Sequence, residues 1–160
     1  MARGISLHVG VNKPGPKFPG AATLRGAEKD AHDMGLLAAA KGFALPNVLS
    51  ASDATYENVT ASICSAAATL TAGDIFLFTF AGHGFQQADQ VGAEADESDE
   101  YDEVLVLFDL ELFDDVFRKE LLPKFAPGVR FLGIADACHS HSFATTPPPP
   151  DLAPPPASLN

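Results

Sequence analysis

His83 and Cys138 are the imidazole and thiol around which a reaction could be built, and each stands just past an apolar run of strand length. Ile75-Phe76-Leu77-Phe78-Thr79-Phe80 leads into Ala81-Gly82-His83-Gly84, and Phe131-Leu132-Gly133-Ile134-Ala135 leads into Asp136-Ala137-Cys138-His139-Ser140-His141. A thiol with an ordinary pKa of about 8.5 is only a few per cent thiolate at neutral pH, so it needs a nearby base or positive field to attack anything. An imidazole supplies the base and can then protonate a leaving amine. Gly82 and Gly84 suit such a site, because glycine lets backbone pass close to a substrate and frees N–H groups to hold an oxyanion. Taken alone, a lone cysteine is more often a small buried hydrophobe, and a lone histidine is satisfied in a strand-end turn. Open parallel sheets gather their sites at the carboxyl ends of strands, so neighbouring parallel strands would bring both groups to one edge.

The elements that must do this positioning are readable along the chain. Ile5, Leu7, Val9 and Val11 alternate with Ser6, His8 and Gly10, which predicts a half-buried strand. Residues 12–22 hold three prolines and two glycines and form a loop. Leu24 to Lys41 is helical in composition, with Gly42 as its stop, and Val48-Leu49-Ser50 is a short second strand. Thr55 caps a helix from Tyr56 to about Thr71, closed by Gly73, and Cys64 falls in its middle as a core residue. Seven acids in residues 94–103 read as a solvated loop before a strand over Val104–Phe108. Asp114 and Asp115 open a short helix that Pro123 limits, and Val129–Ala135 is the last strand. Seven prolines in the ten residues 147–156 make an extended, disordered tail. The expected organisation is a domain over residues 1–144 and a tail over 145–160. Strands alternating with helices imply an α/β fold, its mostly parallel sheet covered on both faces.

At 160 residues the chain is one domain's worth, long enough for a substantial core, and 46% of it is apolar. Ten basic against twenty-one acidic residues give a net charge of −11, which disfavours nucleic acid or an anionic membrane and fits a basic ligand or a cation. Two cysteines are too few for a disulfide scaffold, so a reducing compartment is expected. The first residues lack the apolar core of a signal peptide and no stretch reaches transmembrane length, which predicts a cytoplasmic protein.

Four motifs in order resemble the caspase-like cysteine peptidases of the metacaspase and orthocaspase branch. Phe78-Thr79-Phe80-Ala81-Gly82-His83-Gly84 is similar to the histidine motif and Asp136-Ala137-Cys138-His139-Ser140 to the cysteine motif. Leu24-Arg25-Gly26-Ala27-Glu28-Lys29-Asp30-Ala31 resembles the first-helix signature, and Asp102-Glu103 before a strand recurs there too. The resemblance runs from about Ile5 to Phe143. It implies a three-layer α/β/α sandwich of the large-subunit type and hydrolysis of peptide bonds after Arg or Lys. In it His83 is the general acid and base, Cys138 the nucleophile, and the Gly84 amide part of the oxyanion hole. Asp30 and Asp136 match the two aspartates that floor the S1 pocket, where carboxylates bind a guanidinium or ammonium.

No cofactor is required by this resemblance. Calcium activation is common in the branch, and Asp99, Asp114 and Asp115 stand where acidic ligands for Ca²⁺ would lie. A zinc site from Cys138, His139 and His141 is disfavoured, since adjacent ligands rarely share a tetrahedron comfortably. The chain departs from the pattern at His141, where glycine is usual, at Ala81 and at Ala27, and it ends 22 residues after Cys138. The small-subunit half that completes the sheet is therefore expected from a separate partner or replaced by self-association. The rival reading is a catalytically weak caspase-fold module that binds and regulates partners through that edge and the proline-rich tail.

Overall fold

The computed structural model describes residues 2–88 and 101–137. Seven strands and two α-helices run in the order β1 (Gly4–Gly10), α1 (Ala27–Ala40), β2 (Ala44–Ser50), α2 (Tyr56–Thr69), β3 (Ile75–Ala81), β4 (Gly84–Ala88), β5 (Tyr101–Val106), β6 (Glu111–Phe113) and β7 (Arg130–Asp136). Strands β2-β1-β3-β7 form one parallel sheet, and β4-β5-β6 form a small antiparallel one. Helices on the two faces of the parallel sheet give the expected α/β/α layering.

The core lies on the face opposite α1. Phe76, Phe78 and Phe80 point there from β3, and each is at most 2% exposed. Phe117 stacks on Phe78 at 5.1 Å and on Phe131 at 5.5 Å between ring centroids, while Phe125 covers Phe76 at 5.0 Å. Phe117 comes from a π-wound turn over Val116–Leu121, and Phe125 directly follows a 3₁₀ turn over Leu122–Lys124. Pro123 limits the helix as expected, though the π winding is a departure. Thr55 caps α2, its side-chain oxygen accepting from the Asn58 N–H at 3.2 Å. Cys64 is half-buried on that helix against the core, and α2 ends at Thr69, two residues short of the expected end.

Helix α1 covers the other face at unusually short range. Its buried side is Ala27, Ala31, Gly35 and Ala38, all small. A Cβ on Gly10 would lie 2.4 Å from the Ala27 carbonyl oxygen, so glycine is what lets β1 run under the helix. The helix starts at Ala27, later than expected, because the Leu24 N–H donates to the Asn12 carbonyl at 2.8 Å and holds that residue in the loop. It stops at Gly42, whose φ of +84° only glycine adopts readily.

Three further expectations need correction. β1 is buried on both sides rather than half-buried, with Ser6 and His8 fully enclosed beneath α1. His8 Nδ1 pairs with Thr79 Oγ1 at 2.9 Å, and burial pushes its pKa down. Residues 101–103 open β5 instead of ending a loop, and Glu103 is buried. Cover over the sheet is incomplete: one helix is about 10 Å wide and reaches two to three strands, so α1 leaves Leu132 (47% exposed) and Ile134 (45%) bare on edge strand β7.

One polar staple fixes the amino end of β1. The buried Asp74 carboxylate, in the turn before β3, accepts from the Arg3 N–H (2.8 Å), the Thr71 N–H (2.9 Å), Thr71 Oγ1 (3.1 Å) and the Arg3 guanidinium (3.2 Å). Backbone donation from Arg3 and then Thr71 holds this carboxyl well below the usual range.

Candidate active site

β3 and β7 are hydrogen-bonded neighbours, and Ala81 pairs with Asp136. The two motifs therefore leave the sheet level with each other, His83 two residues beyond one partner and Cys138 two beyond the other. The Gly82 N–H donates to the Asp136 carbonyl at 3.2 Å and ties the two exits together. Residues 138–160 lie outside the described residues, and with them Cys138, His139, His141 and the proline-rich tail; Asp99 does too.

His83 is held from three sides. Its carbonyl accepts from the Val106 N–H at 2.9 Å, β4 begins at the next residue, and its ring Nε2 lies 2.7 Å from the Ala22 carbonyl oxygen. A carbonyl can only accept, so Nε2 carries the proton. Nδ1 is then the nitrogen free to exchange a proton with a neighbouring group. The loop carbonyl that does this was not singled out in the sequence, since no residue type marks it. Gly84, the expected oxyanion donor, is the first residue of β4.

Asp30 projects from the first turns of α1 and Asp136 ends β7; both are exposed and both line one hollow of about 420 Å³, with Gly82 and Ala137 on its wall. They also line a second hollow of about 290 Å³ that continues between α1 and β7 past Met34 and Ile134. Two carboxylates over an apolar cavity make a receptor for a long side chain with a cationic tip.

A separate acidic group forms beside the small sheet. Carboxylate oxygens of Asp102, Asp114 and Asp115 lie within 4.8 Å of one another. Asp114 is 4% exposed, its Oδ1 is buried without a hydrogen-bond partner among the described residues, and its pKa is pushed up to about 6, by burial first and then by the charges of Asp102 and Asp115. Arg118 approaches Asp114 at 3.6 Å and Lys119 pairs with Asp115 at 2.9 Å. Asp114 and Asp115 are members of the expected acidic set; the expected Asp99 lies outside the described residues, and Asp102 joins the other two. It went unseen because one acid among seven in a run carries no signal until strand pairing lifts it out.

The metacaspase, peptidase C14 domain family matches residues 6–147. The chain belongs to that family. It is 29% identical over 140 residues to Metacaspase-4 of Arabidopsis thaliana, covering 82% of this chain and 32% of that protein. It is 37% identical over 71 residues to Metacaspase-1 of Yarrowia lipolytica, covering 42% of this chain and 15% of the relative. A crystal structure of a protein from Geobacter sulfurreducens superposes with a TM-score of 0.75 at 44% identity, over 86% of this chain and 51% of that one. This metacaspase chain thus spans a third or less of the curated relatives named here and about half of the solved one. No helix among the described residues is long and apolar enough to cross a membrane.

Proposed function

We propose that this metacaspase chain carries the catalytic dyad of a cysteine endopeptidase that cleaves after Arg or Lys. The observation that carries the reading is the register of β3 against β7, which starts the His83 and Cys138 segments from the same sheet edge beside the hollow of Asp30 and Asp136. A basic P1 side chain enters the hollow and its cation meets the two carboxylates. The Cys138 thiol passes its proton to His83 Nδ1 and attacks the scissile carbonyl carbon. The resulting oxyanion takes the Gly84 N–H, and the imidazolium returns the proton to the leaving amine as the C–N bond breaks. Water, deprotonated by His83, then hydrolyses the thioester and restores the thiol. A reducing, cytoplasmic setting suits that thiol.

Calcium is an activator rather than a participant in this account. The set of Asp102, Asp114 and Asp115 fits a hard cation, since three carboxylates converge and one of them has a buried oxygen that makes no hydrogen bond among the described residues. Bound there, Ca²⁺ would neutralise three converging charges next to β5; Lys119, exposed at its tip, gives way. The bare β7 edge with Leu132 and Ile134 supports a small-subunit partner or self-association as the remaining half of the fold.

An arginine-terminated peptide bearing a thiol-reactive halomethyl ketone tests the dyad. Mass spectrometry should find the label on Cys138, strongly slowed in His83→Ala and absent in Cys138→Ala. Labelling of Cys64 at an equal rate would contradict the assignment.

A further inference from the structure

The acid-lined hollow contains a cation of its own. Arg25 lines it together with Asp30 and Asp136, and no other basic residue among the described ones does. The backbone around it is fixed: the Leu24 N–H donates to Asn12, the Asp30 N–H donates to the Gly26 carbonyl at 2.8 Å, and the Asp30 Oδ2 lies 3.3 Å from where a Cβ on Gly26 would stand. The Arg25 side chain is exposed and makes no hydrogen bond or ion pair among the described residues. Arg25 thus lines a hollow whose two carboxylates would serve a guanidinium, and among the described residues it is paired with neither of them.

We infer that Arg25 is an internal competitor for this hollow and sets how strongly it takes a basic side chain. This rests on the reading of the hollow as the P1 pocket. A tethered side chain faces its site at an effective concentration on the order of millimolar, enough to occupy a weak exposed pair part of the time. While Arg25 swings over Asp30 or Asp136, an incoming cation must displace it; while it swings away, its charge still repels that cation. Either state weakens binding of a basic ligand. The consequence is selectivity: a planar, bidentate guanidinium displaces Arg25 more readily than a lysine ammonium, which offers a single point of charge.

Benzamidine, an amidinium on an apolar ring, probes the hollow without catalysis. Titrations by calorimetry or NMR should give Arg25→Gln roughly three- to five-fold tighter binding than the parent, the size of one exposed charge pair. Arg25→Lys should fall between them, and the gain should shrink as salt is raised. Arg25 is exposed, so both variants keep the fold, which thermal melting checks. Equal or weaker binding by Arg25→Gln, with the parent binding normally, overturns the role of Arg25 alone. No benzamidine binding by parent and variant alike overturns the basic-pocket reading and this inference with it.

Discussion

A histidine whose Nε2–H is committed to the Ala22 carbonyl has one nitrogen left for proton traffic, and that simplifies what His83 can do. Asp114 is the acid to which the proposed cation site assigns a pH signature. Its carboxyl, raised to about 6 by burial and by Asp102 and Asp115, binds a proton in the folded protein between about pH 4 and 6 that the unfolded chain has already lost. In the absence of cation this group therefore costs stability as pH rises through that window. Calcium bound at the proposed site would reverse the sense, because it would favour the ionised form. The melting temperature should rise with Ca²⁺ at pH 7.5 and change little at pH 5, and Asp114→Asn should remove most of the difference; a calcium shift of equal size at both pH values would refute the assignment. Asp30 and Asp136 are matched in the sequence only through the resemblance, and in the fold by the hollows that both line, since they are far apart in the chain and each alone is an ordinary exposed acid.

At the scale of elements, the close seat of α1 on β1 aims Asp30. Gly10→Ala would put a methyl group within 2.4 Å of the Ala27 carbonyl, so the helix must shift; about 1–3 kcal/mol of stability should be lost in denaturant melts, with weaker benzamidine binding in what remains folded. The staple at the other end of β1 has a pH signature. Asp74 is depressed in the folded state, so its contribution is present above the unfolded carboxylate pKa of about 3.9 and is lost as pH falls through the lower folded value. Asp74→Asn should destabilise the protein at pH 7 and progressively less as pH falls from about 4 towards the lower folded value; a loss that stays equal across that range would point to packing instead. β3 and β7 are legible in the sequence because five- and six-residue apolar runs stop at glycine or acid. β4 and β6 are not: Gly84-Phe85-Gln86-Gln87-Ala88 and Glu111-Leu112-Phe113 are short and half polar, and only pairing with β5 makes them strands. The alternation in β1 misleads for the same tertiary reason, since α1 closes over its polar side.

For the whole molecule, the bare face of β7 is the feature that a single α/β layer set leaves unfinished. Leu132 and Ile134 point outward beside α1 on an edge strand, where a second chain can both pair backbone and cover apolar surface. The double variant Leu132→Glu/Ile134→Glu should leave the melting temperature of the isolated chain nearly unchanged and abolish any concentration-dependent association seen by analytical ultracentrifugation; association that survives both charges would move the interface elsewhere. The acidic balance of −11 is in keeping with the basic specificity proposed above, since a negative surface draws in cations. The most direct test is hydrolysis of fluorogenic peptides differing only in the last residue, Arg, Lys or Asp, by the protein in the presence of Ca²⁺. Cleavage after Arg and Lys, none after Asp, and loss of at least about a thousand-fold in Cys138→Ala is the expected result. Turnover undiminished by Cys138→Ala, or preference for Asp, would contradict it.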